Sequence, residues 1–420
     1  MKSKVLVLGS NFAGLTAARF IREEAKDAVN ITVIDRKNYL NFIPNIPIEV
    51  FSNRNPANTM EFEFQHFLKS DGTEFILGNV EKIDVDNKKV FYTPNEREGA
   101  DQEEISYDYL VIALGNKLAF DKIEGFADFG HTFSDTVYGN EVRRYLHEEY
   151  KGGPIAIGSD RFHQGQSPKL PKLPQAIAAC EGPPVEVAFS MADWLEKNNK
   201  GDAKKITLFT PGDVIAEDAG KKILDQLLPM VSGMGYGYKT NTQGIKRLYK
   251  EGIEFLDGSS LEAEMKIIFP DWEPHDFLKG LPISDDQGFI ITDFYMQNPD
   301  YPEVFACGDA AAVTVPKLGS TGHSEAVIVA KMIAKAVRDD YDKEIEPLHP
   351  QVLCFGDMGS NKGFYMHTDE WWGGDMSILK MGYTPYLLKI GFKTAYEMFG
   401  GRVPGWGMPA AEFIGDHGFV

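Results

Sequence analysis

Residues 4–24 read KVLVLGSNFAGLTAARFIREE, and the interpretation of this stretch decides the fold. Lys4 to Leu8 is a continuous run of β-branched and leucine residues, the pattern of a parallel strand buried on both faces. Gly9 and Gly14 fit the first and last glycines of a dinucleotide-binding fingerprint. Asn11 stands where the middle glycine belongs. Asparagine tolerates left-handed backbone better than most residues, so the turn is expected to survive. The helix that follows presents unpaired N–H groups and a positive dipole end to a pyrophosphate. A second strand, NITVID (residues 30–35), ends at Asp35, at the spacing where an acidic side chain takes ribose hydroxyls. Strand, glycine turn with helix, and acid-terminated strand in this order predict a nucleotide-binding βαβ unit.

The rest of the chain sets bounds on partners. Its 420 residues allow two or three domains, and 43% hydrophobic with 25% charged residues marks a globular protein. The formal net charge is −19, with no basic stripe to offset it, which argues against a nucleic-acid partner. It also disfavours non-specific attraction to an anionic membrane, so any membrane contact has to be local and mainly apolar. Three cysteines, Cys180, Cys307 and Cys354, are too few and too dispersed for a secreted disulfide framework. They and the nine histidines have no metal-ligand spacing, so no metal is expected. No signal peptide and no apolar run of membrane-spanning length is evident.

Two later stretches choose the dinucleotide. YDYLVIALGNKL (residues 107–118) runs a strand into Gly115, and VFACGDAAAV (residues 304–313) ends a strand in Gly308–Asp309. With these, the chain resembles the flavoproteins built from two dinucleotide-binding domains. The resemblance implies FAD, held through the late Asp309, with a helix after Pro316 aiming its N-terminus at the flavin ring. Lys317 then places a positive charge where reduced flavin carries negative charge. Cys307, inside the strand, reads as a small buried hydrophobe.

A second fingerprint is expected in an NADH-using member of that group. GPIAIGS (residues 153–159) starts one, but SDRFHQGQSP follows without the remaining glycines and without opening a helix. The next strand, in KITLFTPGD (residues 205–213), ends in Phe209, Thr210 and Pro211 instead of a ribose- or phosphate-gripping side chain. A fold kept and a nucleotide lost is the expectation.

Cys180 and Cys354 each read more simply as buried structural thiols. Their surroundings change that. FHQGQSP, ACEGPPVE, VPKLG, QVLC and DEWWGGDMS follow one another in the order found in the sulfide:quinone oxidoreductases, which the chain resembles over almost its whole length. The resemblance implies that Cys180 and Cys354 form a redox pair on one face of the flavin. Hydrosulfide, a soft nucleophile, attacks such a disulfide directly. Many members carry a third cysteine in the region of Ser134, so chemistry needing a third thiol, including a flavin link there, is in doubt. Glu181, beside Cys180, reads equally well as a proton carrier and as a solvated loop carboxylate; His163 reads as a satisfied loop histidine.

Reduced flavin needs an outlet, and residues 385–401 supply one. Leu388, Phe392, Ala395 and Phe399 form a helical stripe, with Lys389 and Lys393 on a neighbouring face and Tyr383, Tyr386, Trp406 and Phe413 around it. An interfacial anchor on the bilayer surface is expected. Phe42, in the NYLNFIPNIP loop, and Phe392 are the expected stacking partners of a membrane quinone. The fold expectation is therefore α/β: two Rossmann-like dinucleotide-binding domains with a C-terminal amphipathic helical membrane-anchoring region. The domains are 1–120 with 296–345 for FAD, 121–295 for a second Rossmann-like unit lacking an NADH site, and 346–420 for quinone and membrane. Sulfide, quinone and lipid are the expected partners of a monotopic enzyme on the cytoplasmic face of the membrane, and a homo-oligomer is left open. A type II NADH:quinone oxidoreductase, a soluble sulfide dehydrogenase and a flavin scaffold without turnover are the competing readings.

Overall fold

The computed structural model of the chain describes residues 2–95, 99–168, 170–178 and 181–418. Its main sheet has seven strands in the order Val304–Ala306, Tyr109–Ile112, Ser3–Leu8, Val29–Asp35, Glu74–Asp84, Lys89–Pro94 and Glu103–Ser106. The first five are parallel and the last two antiparallel. Val5 to Leu8 are buried on both faces, which is why a strand without polar alternation sits mid-sheet. The strand Val304–Ala306 returns from far along the chain and pairs Val304 with Leu110. Everything between leaves this sheet and builds a second unit. Helices Phe12–Ala25 and Gly319–Val337 pack against each other. Gly14 lets the first of them approach its strand, because a Cβ there would overlap the Gly9 carbonyl.

The second sheet has four parallel strands, Gly237–Lys239, Ile206–Phe209, Ile155–Ser159 and Met265–Phe269. Helix Gly182–Lys197 connects Ile155–Ser159 to Ile206–Phe209. The crossover is intact, but residues 160–181 of the chain intervene before the helix begins. A small antiparallel sheet of Ile245–Tyr249, Gly252–Phe255 and Ser260–Glu262 packs alongside, with Phe255 against Phe209 at a ring separation of 5.2 Å.

A third unit starts with the antiparallel strands Val352–Asp357, Gly363–Thr368 and Ser377–Gly382 and ends in helices Tyr383–Met398 and Gly407–His417. Strand Val352–Asp357 touches both helix Gly182–Lys197 and helix Tyr383–Met398. That wedge carries the middle of the chain to its C-terminal part. Among the described residues no helix is long and apolar enough to cross a membrane.

The C-terminal helix is rotated relative to the expectation. Leu388, Phe392 and Ala395 are half-buried and Tyr396 is fully buried, so the anticipated stripe faces the protein. Its solvent face carries Tyr383, Leu387 and Met398, and the exposed apolar surface continues through Phe399, Trp406, Phe413 and Ile414. Lys389 is not on the surface at all: it is 2% exposed.

Candidate functional site

The carboxyl end of the main sheet opens into a cavity of about 620 Å³ that runs from Asp35 to the C-terminal helix. Gly9 is at φ +100°, and a Cβ there would overlap the Ala113 carbonyl. Only glycine lets the strand end turn so tightly beside its neighbour. The Asp35 carboxylate accepts the backbone N–H groups of Ser10, at 2.6 Å, and Lys37, at 2.9 Å. It is thereby held at the cavity wall, where a ribose would meet it. Asn11 corrects one expectation: its φ is −90°, not left-handed. It serves through its side chain, whose Oδ1 accepts the Asn41 N–H at 2.9 Å and ties the turn to the next loop.

Gly115, Gly308, Asp309 and Lys317 line the same cavity. Gly308 at φ +70° donates its N–H to Glu325 at 2.5 Å. Lys317 Nζ donates to the carbonyls of Ala311, at 2.6 Å, and Val313, at 3.3 Å, which fixes the ammonium just before helix Gly319–Val337. Burial pushes the Asp309 carboxyl up, and Lys317 pulls it back. The free N–H groups at the start of helix Phe12–Ala25, the Asp35 carboxylate and the orphaned Asn116 Oδ1 fit a long dinucleotide with a polar tail and a ring system. The residues present therefore suit a flavin.

At the far end of the cavity stand Ser134, Glu186, Cys354, Phe355, Lys389 and Phe392. Cys354, on strand Val352–Asp357, carries a free thiol. Burial raises its pKa to about 12, with Glu186 adding to the rise, Lys389 opposing it and Asp218 adding a little more. Such a thiol does not ionise by itself at neutral pH. Ser134 Oγ is 2.9 Å from Thr132 Oγ. Cys180 lies outside the described residues. Cys307 is fully buried, with burial pushing its thiol well up.

The sequence reading missed one pair entirely. Lys389 Nζ meets Glu186 Oε1 at 2.5 Å, joining helices Tyr383–Met398 and Gly182–Lys197, and also donates to the Phe355 carbonyl at 3.2 Å. Burial lifts the Glu186 carboxyl to about 7, with Lys389 opposing the rise. No spacing rule connects positions so far apart in the chain.

Two expected site residues, Phe42 and Glu181, sit differently, and His163 sits as expected. Phe42 is fully buried and does not line the cavity; it backs Phe392 at 6.0 Å between Phe12, Phe62 and Tyr396. Its ring has no free face for a quinone, whereas Phe392 does line the cavity. Glu181 is not a solvated loop carboxylate: it is 2% exposed, and its Oε2 accepts the Ala216 N–H at 2.7 Å. His163 pairs with Asp271 at 2.8 Å on an exposed loop, a satisfied histidine.

Comparison with known proteins agrees with this geometry. Residues 3–150, about a third of the chain, match the family model described as pyridine nucleotide-disulphide oxidoreductase. The sulfide-quinone reductase of Aquifex aeolicus is 24% identical over 95% of this chain and 90% of its own length. The chain is related to the sulfide:quinone oxidoreductases. The crystal structure of the Aquifex aeolicus sulfide:quinone oxidoreductase superimposes with a TM-score of 0.79 at 22% identity, covering 100% of this chain and 96% of that one. A probable mitochondrial NADH-ubiquinone oxidoreductase of Schizosaccharomyces pombe is 21% identical over 85% of this chain and 66% of its own length. The fold is thus that of the flavin-dependent oxidoreductases.

The second Rossmann-like unit has its own turn and helix end. Gly158 is buried, and a Cβ there would overlap the Phe209 carbonyl and ring. Helix Gly182–Lys197 has Glu181 at its N-cap.

Proposed function

We propose that this protein is a sulfide:quinone oxidoreductase that holds FAD in the 620 Å³ cavity and docks at a membrane surface. The observation that carries the reading is the meeting of Cys354 with the dinucleotide cradle in one cavity, beside a second unit whose helix Gly182–Lys197 has Glu181 at its N-cap. Bound flavin supplies a two-electron acceptor between sulfide and quinone. Gly9, Asn11, Gly14, Asp35, Gly115, Gly308 and Asp309 form its seat, with Lys317 supplying positive charge near the ring. The flavin unit comprises residues 1–120 with 296–345, the inserted unit 121–295, and the quinone and membrane unit 346–420.

Cys180 and Cys354 are the redox pair. Hydrosulfide attacks their disulfide; the S–S bond breaks, one cysteine carries the persulfide and the other leaves as thiolate. A second hydrosulfide takes the outer, zero-valent sulfur of the persulfide as hydrogen disulfide and leaves two thiols, whose re-oxidation to the disulfide would give two electrons and two protons, the electrons to bound flavin and so to quinone. Glu181 takes up protons on the sulfur side. Phe392 and the Glu186–Lys389 pair line the same cavity as Cys354, where a quinone ring needs an aromatic face and a proton donor. The exposed Tyr383, Leu387, Met398, Trp406, Phe413 and Ile414 supply an apolar patch for one lipid leaflet.

The test is anaerobic consumption of sulfide with a soluble quinone analogue. Cys180→Ser and Cys354→Ser are expected to lose at least about 100-fold in kcat while keeping their flavin. Variants that turn over at the wild-type rate contradict the reading.

A further inference from the structure

Residues 212–220, GDVIAEDAG, follow the strand Ile206–Phe209, where a nucleotide-binding unit would grip a ribose. None of these residues lines the flavin cavity. They form a turn with three carboxylic acids, Asp213, Glu217 and Asp218, two of which act on Glu181. Ala216 is held at φ +55°, a strained position for a residue with a Cβ, and from there gives its N–H to Glu181 Oε2 at 2.7 Å. Glu181 and Asp218 are 2% and 5% exposed. Each keeps one carboxyl oxygen, Oε1 and Oδ2, without a hydrogen-bond partner among the described residues, although the Thr210 hydroxyl lies beside Glu181. Glu217 is half-buried, its Oε1 accepting the Ile177 N–H at 2.5 Å, and Asp213 is exposed. A small apolar hollow of about 20 Å³, bordered by Gly182, Ala216, Ile223 and Met366, keeps the inner side dry.

Stability alone does not account for this arrangement. Two buried acids with orphaned oxygens cost more than apolar residues of similar shape would. Nor does the environment neutralise them. The groups acting on Glu181 are Asp218 and Glu217, with Tyr238 close enough to feel its charge. The charged group acting on Asp218 is Glu217, and Asp218 in turn acts on Glu181 and on the Cys354 thiol, whose side chain packs against the cluster holding Ala216 and Ala219 of the same turn, next to the Glu186–Lys389 pair. The only cation in this set, Lys389, is already paired with Glu186. The acids therefore run from the thiol outward: Asp218 and Glu181 inside, Glu217 half-way, Asp213 in water.

We propose that Asp218 and Glu181 accept the protons released on the sulfur side of the reaction and that Glu217 and Asp213 pass them to solvent. The proposal rests on the sulfide reading above. Converting hydrogen sulfide to zero-valent sulfur releases two electrons and two protons. The electrons would leave through bound flavin to quinone, and the protons from hydrogen sulfide need an acceptor beside the sulfur. Burial and mutual repulsion place both inner acids where they exchange protons near neutral pH, Glu181 at about 8 and Asp218 at about 7.

The flavin-loaded protein is examined by infrared difference spectroscopy across a pH titration, with and without sulfide, alongside Glu181→Gln and Asp218→Asn. The expected result is two protonated-carboxyl C=O bands at neutral pH in the wild type, one missing from each variant. The kcat for sulfide falls about 100-fold with its pH profile displaced, while KM changes little. Above about pH 7, where Asp218 is ionised, Asp218→Asn also speeds alkylation of Cys354, because a negative charge beside the thiol is gone. Absent bands, or a pH profile unmoved by both substitutions, overturn the proposal. Bands present in a wild type that oxidises no sulfide overturn the parent reading and this one with it, and the two failures are told apart by the spectra.

Discussion

Lys389 illustrates what a single side chain does in this molecule. Placed by the sequence on a face beside the apolar stripe, it crosses into the protein to pair with Glu186. Removing one partner leaves a buried uncompensated charge, so Lys389→Met is expected to cost about 3–5 kcal/mol, read as a fall in Tm or denaturant midpoint. The double replacement Glu186→Leu with Lys389→Met should recover most of that loss. The carboxyls raised by burial make a second residue-scale prediction. Glu181 and Asp218 keep their protons in the folded chain above their ordinary values of 4.5 and 3.8. The folded state then binds more protons than the unfolded one, so stability declines as pH rises from the ordinary carboxyl range through about 8. Thermal melts of Glu181→Gln over that range should show a shallower decline than the wild type; an equal slope would mean that Glu181 is ionised in the fold. The glycine turn and Asp35 were legible because their chemistry is local. Glu186 with Lys389 was not, because only the third unit's wedge against helix Gly182–Lys197 brings them together.

At the scale of elements, periodicity located the strands and helices but not their rotation. Helix Tyr383–Met398 is apolar on more than one side, and a hydrophobic stripe does not say which side meets protein. Leu388 and Phe392 turn inward, towards Tyr396 and the flavin cavity, and the surface patch falls to Tyr383, Leu387 and Met398 with residues of the last helix and its connection. Phe42 was misplaced for a related reason. An aromatic beside a proline loop is compatible with a ligand face or with a core, and here Phe12, Phe62, Phe392 and Tyr396 enclose it. If the outward patch meets lipid, Trp406→Ser combined with Phe413→Ser should weaken vesicle binding at least about tenfold with little salt dependence, since both side chains are more than half exposed. Undiminished flotation with vesicles would assign the patch another role.

Over the whole molecule, the three units divide the work by where their edges meet. The main sheet presents its carboxyl ends to the cavity, the third unit brings Cys354 and Phe392 to the cavity's other end, and the inserted unit contributes Glu186. The inserted unit keeps a parallel Rossmann-like sheet, yet puts Glu181 at the helix end and an acidic turn after the next strand. That combination was half legible. The missing glycines could be read directly, whereas the meeting of Glu181 with residues 212–220 became visible only in the fold. The architecture thus predicts a flavin reached by sulfide and not by NADH. The decisive measurement is anaerobic: the flavin-loaded protein mixed separately with sulfide and with NADH, following the visible flavin absorbance. Prompt bleaching by sulfide alone, reversed by a quinone, is the predicted result. Bleaching by NADH, with none by sulfide, would contradict the account.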